Sequence, residues 1–268
     1  MTKAIIFSGT HSRHLWLHKE VIECFDNVLA IVMKREEVVP LPPQSLEEID
    51  KNNFIRHFKE REKIENKYYG KLDVQKTFSG ATVYETTSLE LNSKKTLEII
   101  KKYNADFCFI FGTDLIKEPI LSALPLKKIN LHLGLSPWYK GGATLFWPFY
   151  FLEPQFAGVT IHYINSKPDA GGIIHQKCPE LDKNDGIHDV GAKCVVSASI
   201  EVKKLCKKIS LGHEIKSSEQ KTSGRVWQGN DFLPQHLRLI YNLFNNNIVK
   251  EFLEGKLSNR KPKLIQHL

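Results

Sequence analysis

Long apolar runs are missing from this chain. No uninterrupted stretch reaches the roughly 18 residues that a membrane span requires. The apolar part of the opening, MTKAIIFSGTHSRH, is too short for a secretion signal. Cysteine is sparse and odd in number: Cys24, Cys108, Cys178, Cys194 and Cys206 are widely scattered, which argues against a disulfide framework. Three of the five sit in apolar surroundings, as reduced core thiols do, and a cytoplasmic protein is expected. The turn after the first apolar run carries only Gly9, so the G-x-G-x-x-G signature of dinucleotide binding is absent. There is no internal repeat and no low-complexity segment. Neither sign of charge is scarce, but 38 basic against 30 acidic residues leave a formal charge of +8. The basic residues are spread along the chain rather than gathered on one element, which favours anionic partners such as phosphates over nucleic acid.

At 268 residues, with 41% hydrophobic and 25% charged side chains, the chain has room for one large globular domain or a catalytic domain with a small appendage. Apolar, β-rich runs alternate with helical patterns. Ala4–Phe7, Val28–Met33, Ala81–Tyr84, Phe107–Phe111 and Lys128–Leu133 read as strands, and Phe156–Ile164 with Gly172–Lys177 as a strand pair. Helices are expected over Ser12–Phe25, Ser88–Tyr103 (Ser88 as N-cap) and Ile187–Leu211. This is an α/β, Rossmann-like, mostly parallel sheet with helices on both faces. The stretch Leu46–Lys67 is densely charged, with Glu47/Lys51 and Arg56/Glu60 four apart, and reads as an exposed helix without chemistry. The aromatic run 146–151 is read first as core and second as a subunit contact. The expected division is a catalytic domain over 1–212 and an appendage over 213–268, made of a hairpin at 213–232 and short helices at Leu237–Leu243 and Ile248–Leu253. The hairpin is a candidate for pairing two subunits in a homodimer.

Candidate chemistry gathers at strand ends. Asn130 and His132 are two apart on one strand and so project from the same face. Asp169 lies in a loop whose path is set by Pro168, Gly171 and Gly172. An amide donor, an imidazole and a carboxylate suit acyl transfer to an amine, with no Ser or Cys nucleophile required. The bland alternatives are a satisfied core histidine and an ordinary turn aspartate. A zinc site through His132, His162, His175 and Cys178 would lack tight ligand spacing. The turn Lys140-Gly141-Gly142 offers a charge and exposed N–H groups as an anion site, or is a simple tight turn. Arg13 and His14 either meet the acceptor or form a solvated helix start.

The segment Asn130-Leu-His-Leu-Gly-Leu-Ser-Pro137 with Tyr139-Lys-Gly-Gly-Ala143, followed by Gly158-Val-Thr-Ile-His162 and Asp169-Ala-Gly171, resembles the tetrahydrofolate-dependent formyltransferase family. Two motifs at this separation are more specific than either alone. The resemblance implies the formyltransferase fold, Asn130, His132 and Asp169 as catalytic trio, and N10-formyltetrahydrofolate as co-substrate without a metal. The pterin would lie along Leu115, Ile116 and Lys117 and the loop with Ile164, Asn165, Pro168 and Asp169, near Phe111 and Gly112. Asn130 and His132 would both hold the developing oxyanion. The wording Leu131–Pro148 and Asp231–Tyr241 is most similar to nucleotide-sugar N-formyltransferases of bacterial surface-polysaccharide (lipopolysaccharide O-antigen or capsule) synthesis. That implies a nucleoside-diphosphate-linked 4-amino-4,6-dideoxy sugar as acceptor, met by Arg13, His14, Lys140, Gly141 and Gly142. The alternatives are formylation of an amino-acid amine or hydroxylamine, or a non-enzymatic binding relative.

Overall fold

The structure, a computed structural model, describes residues 2–221 and 224–268. The chain opens β1 (Lys3–Gly9), α1 (Ser12–Ile22), β2 (Asn27–Met33), α2 (Glu48–Tyr69), a one-turn α3 (Val74–Thr77) and β3 (Thr82–Thr86). It continues through α4 (Lys94–Tyr103), β4 (Phe107–Phe111), α5 (Ile120–Ala123), β5 (Lys128–His132), β6 (Tyr139–Gly141) and α6 (Trp147–Tyr150). The remainder is β7 (Val159–Tyr163), β8 (Ile173–Lys177), α7 (Ile187–Ser210), β9 (Arg225–Trp227) and α8 (Ile248–Leu253). Seven strands form one sheet in the order β3-β2-β1-β4-β5-β7-β8. The first five are parallel, and β7 and β8 add antiparallel.

Alternation along the central strands divides the core. Ala4, Ile6, Ala30, Phe107 and Phe109 pack with α1, α2 and α7, while Ile5, Phe7, Leu29, Ile31, Cys108 and Ile110 pack with α4 and α5. Burial on both faces is why these strands read as continuous apolar runs. Cys108, Cys194 and Cys206 are fully buried thiols, and all five cysteines are free. Strand order reverses at β1 and β4, where two chain crossovers diverge and leave a crevice at the strands' carboxyl ends. Register carries the smaller core's face outward: Ile110 lies beside Asn130, Asn130 beside His162, and His132 beside Thr160. Beyond α5 this face turns from apolar to polar, at the mouth of the crevice.

Several elements depart from expectation. The helix expected from Ser88 begins at Lys94, where the Ser93 side chain accepts from the Thr96 N–H at 3.2 Å; the Ser88 hydroxyl instead donates to Asp114. The charged helix α2 is not a solvated rod, because Asp50, Asn53, Phe54, His57, Glu65 and Tyr69 are all buried on it. The expected hairpin at 213–232 is replaced by two pairings to other parts of the chain: Arg225–Trp227 runs parallel to Tyr139–Gly141, and Ser218 bridges to Ile173. Residues 222 and 223, inside that expected hairpin, lie outside the described residues.

The tail also enters the main core. Leu237, Ile240, Ile248 and Val249 are at most 1% exposed and pack in the same cluster as α7. Arg238 grips Asp50 of α2 through two hydrogen bonds of 2.7 Å. Residues 237–249 therefore stabilise the catalytic core rather than hanging from it. Ile240→Ala is expected to lower global stability by about 2–5 kcal/mol, the usual range for such a truncation in a core, with urea unfolding still a single transition. A variant whose main transition does not move would show the tail to be independent.

Candidate functional site

A cleft of about 1160 Å³ opens at the carboxyl ends of β1, β4 and β5. Asn130, His132 and Asp169 meet in it. Asp169 arrives on the loop after β7 with a left-handed backbone, φ +48°, a conformation that aspartate tolerates better than most residues. Its carbonyl accepts from the Gln220 side chain at 2.8 Å, and Gln220 also reaches the Gly171 carbonyl at 2.9 Å.

The Asp169 carboxylate sits between two imidazoles. Oδ2 lies 3.4 Å from His132 Nδ1 and accepts the Gly141 N–H at 2.8 Å; Oδ1 lies 3.4 Å from His162 Nε2. Each ring is fixed from its far side. His132 Nε2 donates to the Tyr139 carbonyl at 2.8 Å, and His162 Nδ1 to the Tyr163 carbonyl at 2.8 Å. A carbonyl can only accept, so those two nitrogens carry protons. His162 Nε2 then has a lone pair, and Asn130 Nδ2 donates to it at 3.2 Å. One N–H of the Asn130 amide is thereby used and the other remains for the cleft. As the ring stands, His132 directs neither nitrogen into the cleft: Nε2 faces the Tyr139 carbonyl and Nδ1 the Asp169 carboxylate.

Burial alone would raise the Asp169 pKa, but His132, then His162, then the Gly141 N–H hold it well below the usual carboxylate range. Burial lowers the His132 pKa, with Asp169 opposing. The carboxylate stays ionised at neutral pH, and a proton entering between Nδ1 and Oδ2 belongs to the pair as a unit.

The turn after β6 is held by the protein itself. The Gly141 N–H serves Asp169 and the Gly142 N–H donates to the Trp227 carbonyl at 2.8 Å. Lys140 is buried and is not part of the cleft wall. The expected anion cradle at 140–142 is thus corrected: its N–H groups orient a carboxylate and a tail strand. Gly141 has φ +87°, and a Cβ there would run into the Trp227 carbonyl, so both conformation and space require glycine.

The family model for formyl transferase matches residues 55–202, more than half of the chain. The chain belongs to the formyl transferase family. Over 120 residues it is 30% identical to a methionyl-tRNA formyltransferase of Azobacteroides pseudotrichonymphae, covering 42% of this chain and 37% of that protein. It therefore aligns with well under two thirds of that relative's length. Among solved structures, a 4-N formyltransferase from Francisella tularensis superposes with a TM-score of 0.56 at 17% identity, covering 86% of this chain and 78% of that one. An N-formyltransferase from Helicobacter canadensis, in complex with folinic acid and dTDP-3-aminofucose, gives 0.54 at 18%, covering 95% and 82%. At these identities the structures share the fold.

In this formyl transferase fold Phe111, Gly112, Leu115, Ile116, Lys117, Ile164, Asn165 and Pro168 all line the cleft, as do Arg13, His14, Gly141 and Gly142. Gly112, at φ +91°, is where the chain turns over the His14 ring, and a side chain there would strike that ring. The walls fit a flat heteroaromatic group: Ile110, Ile116 and Leu121 are apolar and buried, and the Thr113 hydroxyl is buried there without a protein partner. One detail of the expected binding edge changes. The Leu115 carbonyl accepts from Asn92 and the Lys117 N–H donates to Asn92 Oδ1, so the Asn92 amide braces this loop and takes up that N–H. Asn165 Oδ1 likewise accepts from the Lys167 N–H at 2.9 Å.

The sequence reading omitted the α2 contribution: His57, Phe58, Arg61, Glu65 and Tyr69 all line the cleft. Nothing local marks a helical histidine or arginine as facing a cavity. Asn92 and Gln220 act on backbone groups remote in sequence and carry no local signal either. Among the described residues no group of three or more His, Cys, Asp or Glu is disposed to hold a metal.

His18 and His188 are neutral at pH 7. Burial pushes His18 down to about 4 and His188 to about 3, with Arg61 adding to the effect at His188. In the unfolded chain these imidazoles titrate near 6.5, so below that pH the unfolded state binds more protons. Stability is then expected to fall as pH drops from about 6.5 toward 4, with His18 alone contributing about 2 kcal/mol of the loss by pH 4.5. Urea midpoints at pH 7, 6 and 5 check this; a flat profile would contradict it, and His18→Gln should give a shallower one.

Proposed function

We propose that the chain transfers a formyl group from N10-formyltetrahydrofolate to the amine of a nucleoside-diphosphate-linked amino sugar, of the 4-amino-4,6-dideoxy class. The observation that carries this reading is the uncommitted Asn130 N–H beside a buried His132–Asp169 pair, inside a cleft with room for two substrates. Family membership supports the one-carbon chemistry, and a structural relative in complex with folinic acid and dTDP-3-aminofucose supports the acceptor class.

The folate co-substrate supplies the formyl carbon on a nitrogen leaving group; Phe111, Ile116, Thr113 and the loop 164–168 are the residues that would hold it. The work of the protein is then electrostatic. Asn130, its orientation fixed by His162, donates its second N–H to the formyl oxygen as charge develops there, a donor already aligned before reaction. The His132–Asp169 pair takes the proton that the attacking amine loses. It returns one to the departing folate nitrogen, so that amine plus formamide gives new formamide plus free N–H with the pair unchanged. A buried pair restrained by the Tyr139 carbonyl and the Gly141 N–H loses little freedom in doing so.

The purified protein, given N10-formyltetrahydrofolate and a panel of nucleotide-linked 4-amino-4,6-dideoxy sugars beside amino acids and hydroxylamines, should form an N-formyl sugar detected by mass spectrometry. Formylation confined to the amino-acid panel would reject the acceptor. Asn130→Ala should lower kcat by about 10²–10³-fold, the cost of losing one aligned oxyanion donor, and Asp169→Asn by at least as much. Near-normal turnover in folded Asn130→Ala would reject the role of the amide.

A further inference from the structure

The end of the cleft built by α1 and α2 holds three arginines whose partners differ. Arg13 pairs with Glu65 at 2.5 Å, and Arg35 with Asp114 at 2.7 Å and Glu36 at 2.9 Å. Arg61 has no carboxylate within 4.0 Å among the described residues. One terminal nitrogen donates to the Val38 carbonyl at 2.7 Å, the guanidinium lies 4.6 Å over the Phe58 ring, and its Nε is buried without a hydrogen-bond partner. The imidazoles around it add no negative charge to balance it. His11, His14, His57 and His188 all have pKa values lowered chiefly by burial, so they are neutral, and the His14 Nδ1, also buried, has no partner. Burial, and after it Arg13, brings Arg61 down to about 10 against the opposing pull of Glu65 and Glu36, which still leaves it cationic at pH 7.

A partly desolvated cation with an unmet donor is costly unless an anion completes it. Ring stacking and the Val38 bond hold the guanidinium in one orientation, and a planar fork held that way suits phosphate oxygens. We propose that Arg61, with Arg13 beside it, binds the diphosphate of the acceptor and so directs its amino sugar toward Asn130. This rests on the acceptor reading above and assigns the specificity for the phosphates to α2. The folate tail carries carboxylates that share this chemistry, but the loops expected to hold folate have their own cations in Lys117 and Lys167.

Calorimetric titration of the full chain separates the two anions. Inorganic pyrophosphate, UDP and dTDP form one arm and folinic acid the other, with wild type, Arg61→Met and Arg61→Lys compared after thermal melts confirm folding. Arg61→Met should weaken pyrophosphate and both nucleotides at least about tenfold, as expected for loss of a charge-assisted pair, and leave folinic acid within about twofold. Arg61→Lys, which keeps the charge without the fork, should fall between and decides the matter if the methionine variant does not fold. In turnover, Arg61→Met should raise KM for the acceptor with little change in kcat. Unchanged nucleotide and pyrophosphate affinity in a folded variant, or weakening of folinic acid alone, would overturn the assignment. If wild type formylates no sugar yet binds pyrophosphate through Arg61, the acceptor reading fails and the anion site stands. If Arg61→Met formylates sugars with unaltered KM, the reverse holds.

Discussion

A carboxylate placed inside a protein needs polar partners in place of water, and around Asp169 they come from four separate segments. β5 brings His132, β7 brings His162, the turn after β6 brings the Gly141 N–H, and the tail brings Gln220 to the aspartate's own carbonyl. Its side chain is only 13% exposed, so these contacts replace hydration that the folded chain has removed. Remove the carboxylate and both the Gly141 N–H and the His132 Nδ1 lose what they face. The same charge fixes the turn, the rings and the loop, which is why the geometry of the site and the stability of its surroundings are one problem.

The tail matters through that turn. β9 pairs with β6, the Trp227 carbonyl receives the Gly142 N–H, and the Trp227 ring stacks on Trp147 at 4.1 Å with Arg225 3.7 Å over its face. A short strand in isolation would be marginal; here aromatic stacking, a cation over the ring and an adjacent buried helix anchor it. Displacing β9 would release Gly141, and Asp169 would lose the hydrogen bond from its N–H. Residues far along the chain thus reach the His132–Asp169 pair through three consecutive contacts.

Much of the fold was legible because parallel strands buried on both faces leave continuous apolar runs, and β1, β2 and β4 have them. Asn130, His132 and Asp169 could be picked out from strand alternation, a Pro/Gly-shaped loop and the family resemblance, and the cleft brings them together. What was not legible depended on long-range pairing. A hairpin at 213–232 was reasonable from local composition, but the edge left open by Tyr139–Gly141 gave β9 a partner that no local pattern announces. Glycines at 141 and 142 suggested exposed N–H groups, and only the fold shows them consumed by Asp169 and Trp227. α2 misled for a related reason: Arg56 and Glu60 do pair four apart on it, while another stripe carries His57, Arg61 and Glu65 into a cavity that does not exist until β1 and β4 diverge.

Burial also sorts the protons. His14, His57 and His188 are stripped of water and crowded by arginines, so they stay neutral and serve the cleft as fixed dipoles. At His132 the Asp169 carboxylate opposes the burial directly. A proton arriving between His132 and Asp169 would rest beside the Asn130 amide, one N–H of which is engaged by His162. Since the backbone carbonyls of Tyr139 and Tyr163 have already chosen the tautomers, transfer at His132 requires no ring rotation, only motion of a proton across the gap to Asp169. A site organised this way pays its reorganisation cost during folding, leaving little to be spent when charge develops on a substrate.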